Sequence, residues 1–283
     1  MKWQGRRGSR NIEDRRRAGA GKTGGVGIVG VLIILALGAY FGVDVTPFLQ
    51  GGGGGASNSG GGGEITQADR QAGEFVSVTL ADTEEVWADI FRDQVGKTYT
   101  PTILVLFKGA TQSRCGGASG ATGPFYCPGD KKIYLDTDFF LTLSQKLGAK
   151  GDFAAAYVVA HEVAHHVQDE LGILAHANKI RGQLSQAESN AISVRIELQA
   201  DCYSGIWARH EQAKFGSLEQ GDIAEAMNAA KQIGDDQLQR NAGRTPMPHT
   251  FTHGTSEQRQ RWFVTGYNSG ELASCNTFAA ENL

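Results

Sequence analysis

Hydrophobic and polar positions divide the chain of 283 residues into four stretches of different character. Residues 1–23 are polar and basic, whereas residues 24–43 include no charged side chain. Glycine is the commonest residue in 44–64, and from residue 65 onward apolar positions recur with the spacing of helices and short strands. The pattern therefore predicts a basic tail at residues 1–23, an apolar helix at 24–43, a flexible linker at 44–64 and one folded domain at 65–283.

The pattern within residues 65–283 predicts an α+β fold that is mainly helical and has a small β-sheet. Residues 102–107 form a β-branched run and residues 132–136 alternate, and we expect these two strands to pair. Asp152 is a suitable N-cap for a helix that runs to about residue 170. Further helices are predicted at residues 82–95, 139–147, 183–215, 218–233 and 255–269.

The apolar stretch from Gly24 to Val43 has the length of a transmembrane helix. Twenty residues at helical rise span the hydrocarbon core of a bilayer. Basic residues precede the stretch and Asp44 follows it, so the positive-inside rule predicts a cytoplasmic N-terminus. We expect an uncleaved signal-anchor in the cell membrane, with the folded domain in the periplasm. A cleaved signal peptide is the alternative, but its charged leader would be unusually long.

The linker and the charge distribution limit what the folded domain can bind. Nine of the thirteen residues from 51 to 63 are glycine, which predicts a flexible coil with a reach of roughly 20 Å. Residues 1–23 contain eight basic and two acidic residues, a net charge of +6, which leaves −9 for the rest of a chain whose total is −3. An acidic domain lacks the basic surface that phosphate binding requires, so nucleic acid is excluded as its ligand.

Four cysteines fit an extracytoplasmic domain, because disulfides persist in oxidising compartments. Three pairings are possible, and we favour the local ones, Cys115 with Cys127 and Cys202 with Cys275. A cysteine-based zinc site is the rival interpretation, but the chain contains no Cys-x-x-Cys spacing.

The segment from residue 160 to 166, Ala-His-Glu-Val-Ala-His-His, lies within a predicted helix. His161 and His165 are four residues apart, so they project from the same helical face. Their imidazoles can occupy adjacent corners of a tetrahedral zinc ion, and Glu162 can then take a proton from a water molecule on the open side. This HExxH pattern is the signature of zinc peptidases and predicts Zn²⁺ as cofactor.

A catalytic zinc site requires a third protein ligand, and Glu197 is the best candidate downstream of the motif. Glu197 and Asp201 are also four residues apart, and both lie among apolar neighbours, which is unusual for a solvated acidic pair. We predict that Glu197 binds the metal and that Asp201 accepts a hydrogen bond from the other ring nitrogen of His161. The other candidates that the sequence offers are His176, Glu188, His210, His249 and His253.

Other histidines fit the zinc site less well. His176 lies ten residues after His165 and lacks the spacing of a third histidine in HExxHxxGxxH. His166 is about 100° around the helix from His165, so we expect it to have a structural role. An oxyanion-stabilising donor is also needed, and we select His253 in a Gly- and Pro-containing loop. Three further donors remain open for this role, namely Tyr203, His249 and Arg259.

Separated motifs in residues 65–283 resemble the neutral zinc metallopeptidase family of bacteria. The HExxH and Glu-x-x-Ala-Asp pair also resembles gluzincin proteases, in which a glutamate is the third zinc ligand. The resemblance implies a zincin-like fold and peptidase chemistry, and family members have a basic tail, one membrane span and a Gly-rich linker. The segments that carry it are 86–87, 90–91, 115–116, 123–128, 133–136, 151–154, 161–168, 197–202, 252–256, Arg259 and 261–263.

The sequence thus predicts a membrane-anchored zinc peptidase that acts on proteins or peptides. Zinc-activated water would attack the peptide bond with Glu162 as general base, and residues 132–136 belong to a sheet that could offer an edge strand to an extended peptide. The alternative is a non-catalytic, zinc-stabilised binding or scaffold module at the cell envelope. An intact Glu162 argues against the alternative, since a purely structural site needs no base.

Overall fold

The computed structural model of the protein describes residues 1–17, 65–119 and 122–283. The predicted transmembrane helix at 24–43 and the linker at 44–64 lie outside the described residues. Within the described ranges, none of the helices combines the length and the hydrophobicity that a bilayer crossing requires.

Helices form most of the described residues. Helix α1 (Gln67–Ile90) ends in a π-helical turn at Phe91–Val95. The short helix α2 (Phe139–Leu141) is followed by a second π-helical turn at Thr142–Lys146. Single turns of 3-10 helix occur at Pro248–Thr250 and Leu272–Cys275. The helices are α1 (Gln67–Ile90), α2 (Phe139–Leu141), α3 (Asp152–Glu170), α4 (Ile173–Arg181), α5 (Gln186–Phe215), α6 (Asp222–Gln232), α7 (Asp235–Asn241) and α8 (Ser256–Ser269).

The strands form one four-stranded sheet and one small hairpin. In the sheet the order is β1-β2-β6-β5, with β1, β2 and β6 parallel and β5 antiparallel to β6. Strands β3 and β4 pair with each other in an antiparallel hairpin. The strands are β1 (Ile12–Asp14), β2 (Ile103–Phe107), β3 (Ala110–Ser113), β4 (Gly116–Ser119), β5 (Phe125–Cys127) and β6 (Lys132–Asp136).

The α+β class and the pairing of the two predicted strands are confirmed, since Ile103 of β2 lies opposite Lys132 of β6. The β6 strand is interior, however, and β5 forms the sheet edge on that side. The prediction that Asp152 caps α3 was wrong, because Gly151 is the N-cap and Asp152 is the first helical residue. Gly151 has φ of 102°, a backbone conformation that glycine adopts without strain and other residues rarely adopt.

Helices α5 and α8 pack unusually closely because glycines face each other's backbone. A Cβ at Gly205 of α5 would lie 2.0 Å from the carbonyl oxygen of Phe263. A Cβ at Gly266 of α8 would lie 1.8 Å from the carbonyl oxygen of Cys202. This approach lies in the C-terminal half of α8, and one turn earlier Arg259 of α8 hydrogen-bonds to Asp201 of α5.

Both disulfides favoured from the sequence are present, Cys115–Cys127 and Cys202–Cys275. The first joins the turn between β3 and β4, which contains Cys115, to β5. The second fastens the C-terminal 3-10 turn to α5, next to Asp201. The two bonds use all four cysteines of the chain.

Residues 1–17 pack on the folded domain, which differs from the separate tail expected from the sequence. Strand β1 adds to the sheet beside β2. Arg6 forms ion pairs with Asp82 of α1 and Glu211 of α5. The physical reason is charge complementarity, since the net positive N-terminal segment meets an acidic domain.

Candidate metal and catalytic site

Helices α3 and α5 bring His161, His165 and Glu197 together. His161 and His165 are one turn apart on α3, and Glu197 projects toward them from α5. The Nε2 atom of His161 lies 3.0 Å from Glu197 Oε2, and the Nε2 atom of His165 lies 3.5 Å from Glu197 Oε1. One potential ligand atom from each residue lies within 4.8 Å of the other two. The three predicted ligands thus converge on one point.

Asp201 contacts the ring nitrogen of His161 that faces away from Glu197. Its Oδ1 atom lies 3.0 Å from His161 Nδ1 and accepts a hydrogen bond from the Tyr157 hydroxyl at 2.5 Å. Arg259 of α8 donates from Nε to Asp201 Oδ2 at 2.8 Å and from Nη2 to Oδ1 at 3.0 Å. Because Asp201 is a buried carboxylate, these three donors hold it in place and hold the imidazole through it.

Gln168 has the corresponding position behind His165, and it was not predicted. Its side-chain nitrogen donates to the Ile196 carbonyl at 2.8 Å and to Gln199 Oε1 at 3.0 Å. Its oxygen is therefore left to accept a hydrogen bond from His165 Nδ1, at 2.8 Å. His165 then carries its proton on Nδ1 and presents the Nε2 lone pair to Glu197.

The donor set fits a zinc ion. With Nδ1 of His161 donating to Asp201, its Nε2 lone pair faces the lone pairs of Glu197 Oε2 at 3.0 Å. Two acceptors at that distance require a cation or an additional proton between them. Two imidazole nitrogens and one carboxylate oxygen are the His₂Glu ligand set of catalytic zinc sites, which leave a position open.

The electrostatics of the site favour a positive ion. Burial lowers the pKa of His161, but the hydrogen bonds to Asp201 and Glu197 raise it overall to about 10. Burial raises the pKa of Glu197, yet the charges of His165 and His253 hold it well below its usual value. Against the opposing effect of burial, the Arg259 charge lowers the pKa of Asp201. Both carboxylates are thus ionised at neutral pH.

Glu162 has the properties of a proton acceptor beside this cluster. It lines the same cleft as His161, His165 and Glu197, and it is buried. Burial raises the pKa of Glu162 above its ordinary value. A carboxylate with a raised pKa is a stronger base than an ordinary one, which suits it to take a proton from water near neutral pH.

His253 lines the same cleft, and Asp235 holds its loop. Asp235 Oδ2 accepts backbone N–H bonds from Thr252 at 2.8 Å, His253 at 2.6 Å and Gly254 at 3.0 Å. The Oδ1 atom of Asp235 lies 3.4 Å from His253 Nδ1. The imidazole is half-exposed, so its other nitrogen is accessible to a ligand in the cleft. A sequence signal pointed to His253, whereas none identifies Asp235.

The remaining candidates have other places in the fold. Among the described residues that line the cleft, neither Tyr203 nor His249 is found, whereas Arg259 is. Glu188 forms the capping box of α5 with Ser185. His176 of α4 lines a separate depression on the surface.

His166 is structural, as predicted. Its Nε2 atom lies 2.7 Å from the Thr100 carbonyl oxygen, and its Nδ1 atom lies 3.1 Å from the Tyr126 hydroxyl. Burial lowers the pKa of His166. The side chain therefore ties α3 to the start of the sheet and does not face the cleft.

The cleft is large enough for part of an extended peptide, with a volume of about 650 Å³. Strand β5 forms one wall with Phe125 and Tyr126, and this strand is the sheet edge nearest to α3. Apolar side chains cover much of the remaining surface, and the zinc-binding candidates also line the cleft. The apolar lining residues are Phe139, Leu147, Val158, Leu174, Ile196, Ile233 and Leu238.

Comparison with known proteins agrees with this geometry. Residues 1–278 match the model of the family described as "Putative neutral zinc metallopeptidase". The chain belongs to this family. The family match begins at residue 1, so it includes the N-terminal segment that packs on the domain, and it supports a zinc-dependent hydrolase as the general activity.

The chain has relatives in Escherichia coli and in Mycobacterium tuberculosis. The uncharacterized protein YpfJ of Escherichia coli strain K12 is 44% identical over 287 residues, which cover 98% of this chain and 99% of that protein. The uncharacterized protein Rv2575 of Mycobacterium tuberculosis strain H37Rv is 45% identical over 195 residues, which cover 65% of each chain. No solved structure matches the chain.

Proposed function

We propose that this protein is a peptidase in which Glu162 acts as general base at a zinc site formed by His161, His165 and Glu197. The convergence of these three ligand atoms beside a buried glutamate is the observation that carries the proposal. A zinc ion held there would polarise the scissile carbonyl and lower the pKa of a water molecule.

The chain's own groups then have defined tasks. Glu162 accepts the proton of the attacking water on its carboxylate and later delivers it to the leaving amine. His253 donates a hydrogen bond to the oxyanion that develops on the carbonyl oxygen, and Asp235 positions its ring. Asp201 and Gln168 keep the two imidazoles in the tautomer that presents Nε2.

The substrate in this proposal is an extended peptide segment. The sequence predicted a substrate-binding edge in the sheet that includes residues 132–136, but β6 is interior and β5 is the strand at the cleft. Backbone groups of Phe125–Cys127 that do not face β6 could pair with a peptide strand. The apolar walls of the cleft favour hydrophobic side chains next to the cleaved bond.

Membrane attachment through residues 24–43 is part of the proposal and rests on the sequence alone. The two disulfides support an oxidising, extracytoplasmic location for the folded domain. In this setting the substrates would be proteins or peptides of the cell envelope.

The proposal is tested by Glu162→Gln in the full-length protein, with zinc content and cleavage of a peptide library measured on the same preparation. We expect the variant to bind zinc as the native protein does and to lose cleavage almost completely. Glu170→Gln is the matched control, because Glu170 is on the same helix but pairs with Lys131 outside the cleft. Equal cleavage by native protein and Glu162→Gln would reject the mechanism, and zinc binding without any cleavage by the native protein would favour the scaffold function.

A further inference from the structure

The N-terminal segment of residues 1–17, called the arm below, completes the main sheet of the domain. Strand β1 pairs in parallel with β2, with Ile12 opposite Leu104. Backbone hydrogen bonds continue beyond both ends of β1. The Leu104 amide donates to the Asn11 carbonyl at 2.8 Å, and the Arg15 amide donates to the Leu106 carbonyl at 2.7 Å. Strand β2 is buried along most of its length. The arm therefore covers what would otherwise be an open edge of a buried parallel sheet.

The arm also places a cation beside two buried carboxyl groups. Asp82 of α1 and Glu211 of α5 are both buried, and Arg6 bridges them with N–O distances of 2.8 Å and 2.9 Å. Ser217 donates to the same Glu211 oxygen at 2.6 Å. Two buried carboxyl groups side by side can ionise only at a cost that a neighbouring cation reduces. The interface between α1 and α5 is thus built to receive Arg6.

The Arg16 side chain packs against the first two turns of α1. Its side chain is buried, and Nη1 hydrogen-bonds to the Asp69 carbonyl oxygen in the first turn of α1. A Cβ at Gly73 would lie 2.7 Å from Arg16 Nη1, so glycine at this position makes room for the guanidinium. Asp14 pairs with the same guanidinium at 2.6 Å.

Polar contacts join the middle of the arm to α1. The Ser9 amide donates to the Ser77 carbonyl at 2.8 Å, and the Asn11 side chain donates to Glu84 at 2.8 Å. The arm thus has strand pairing, buried ion pairs and a guanidinium group packed against a glycine. Such contacts are typical of a folded domain and not of a flexible tail. The arm is held by contacts spread over 17 described residues.

From these contacts we infer that the arm is an integral part of the catalytic domain and lies on the same side of the membrane as residues 65–283. A segment that crosses a bilayer once places its two flanks on opposite sides. The docked arm is incompatible with two opposite sides, so it places residues 1–17 and residues 65–283 in one compartment. This inference does not depend on the proposed peptidase mechanism.

The basic character of the arm, which suggested a cytoplasmic N-terminus, has another explanation in the structure. Arg6 pairs with Asp82 and Glu211, and Arg7 pairs with Glu85 at 2.7 Å. Lys132 of the domain pairs in return with Glu13 of the arm at 2.6 Å. Charge complementarity between the arm and the domain therefore accounts for Arg6 and Arg7, two of the positive residues that the positive-inside rule assigns to the cytoplasm.

A disulfide trap tests whether the arm is docked in the membrane-associated, full-length protein. A Cβ at Gly8 would lie 3.5 Å from the Ser77 Cβ, within the range of disulfides. The test variant is Gly8→Cys with Ser77→Cys. Gly5→Cys with Ser77→Cys is the matched control, because a Cβ at Gly5 has no atom within 4 Å. The native cysteines are already paired.

Membranes are treated with a membrane-permeant oxidant, and free thiols are counted by mass-tagged maleimide. We expect the Gly8 and Ser77 pair to lose both reactive thiols and to yield a linked peptide in mass spectrometry, while the control pair keeps its thiols. Loss of thiols no greater than in the control pair would overturn the inference.

A sidedness measurement gives an independent test with exposed single-cysteine variants. Arg10→Cys reports on the arm and Glu257→Cys on the domain, where the Glu257 side chain is 83% exposed. Intact spheroplasts are labelled with a membrane-impermeant maleimide. Equal labelling of both positions, or equal protection of both, supports a shared compartment. Labelling of Glu257→Cys with protection of Arg10→Cys would overturn it.

Discussion

Gln168 accepts a hydrogen bond from His165 at 2.8 Å and has no other orientation that satisfies its neighbours. Its amide nitrogen is fixed by the carbonyl groups of Ile196 and Gln199. This single contact determines which nitrogen of His165 is free to bind a metal. The buried Gln168 amide thus orients the ring of His165 through Nδ1, as Asp201 orients the ring of His161.

Replacing Gln168 by leucine should weaken zinc binding. The variant leaves the Nδ1 proton of His165 without an acceptor, and the loss of such an outer partner typically costs about 10–100-fold in metal affinity. Zinc dissociation constants are measured by competition with a chromophoric chelator. Gln183→Leu, at an exposed position, serves as control. An affinity equal to that of the native protein would contradict the assigned role of Gln168.

Replacing Arg259 by methionine should destabilise the domain. Asp201 is completely buried and would lose its main counter-charge, and breaking a buried pair from one side costs about 3–5 kcal/mol. The free energy of unfolding is measured by urea denaturation. Arg261→Met on the same helix should change it by less than about 1 kcal/mol, because its pair with Glu257 is exposed. Similar losses in both variants would show that the Asp201 pair has no special importance.

Asp235→Asn should lower the turnover number while leaving the zinc content unchanged. The variant weakens the contacts that hold the His253 loop and ring, and we expect a loss of about tenfold, smaller than the roughly 100-fold loss expected for His253→Ala. A double-mutant cycle measures the coupling. Asp235→Asn should cost little further activity in the His253→Ala background. Fully additive losses would mean that Asp235 acts independently of His253.

The carboxyl group of Asp82 should make stability depend on pH. Burial, together with the negative charge of Glu211, raises the pKa of Asp82 from 3.8 to about 8. The folded protein then holds a proton that the unfolded chain releases near pH 4. This group's stabilising contribution is therefore present at low pH and is lost as the pH rises toward 8.

We accordingly expect Asp82→Asn to stabilise the protein more at pH 8 than at pH 5, by an amount on the order of a few kcal/mol. The difference in the free energy of unfolding between variant and native protein is measured at both values. Asp93→Asn provides the comparison, since Asp93 follows on the same helical segment with its side chain 62% exposed. If the difference in the free energy of unfolding between variant and native protein were the same at pH 5 and pH 8, Asp82 would be ionised at both values.

The site could be predicted largely because its signals are local. His161 and His165, and likewise Glu197 and Asp201, are separated by one helical turn, so their common faces follow from helix geometry alone. Gln168 is three residues after His165 and Tyr157 is four before His161, which are also helical spacings. Neutral amides and phenols are common in helices, however, and their sequence positions carry no metal-binding signal.

The parts that the sequence did not predict depend on contacts between distant segments. The packing of the arm rests on single residues such as Arg6 and Gly73, which show no periodic pattern. The interior position of β6 depends on which strands flank it, and β1 and β5 are each only three residues long. The predictions of a transmembrane helix at 24–43 and of the linker at 44–64 fall outside the described residues and stay predictions.

Zinc removal and reconstitution of the full-length protein is the measurement that tests the central claim most directly. Peptide cleavage is followed while a chelator withdraws the metal and again during titration with Zn²⁺. We predict that cleavage falls in proportion to the zinc content and returns fully at one equivalent of zinc per chain. Undiminished cleavage by the zinc-free protein would contradict the account.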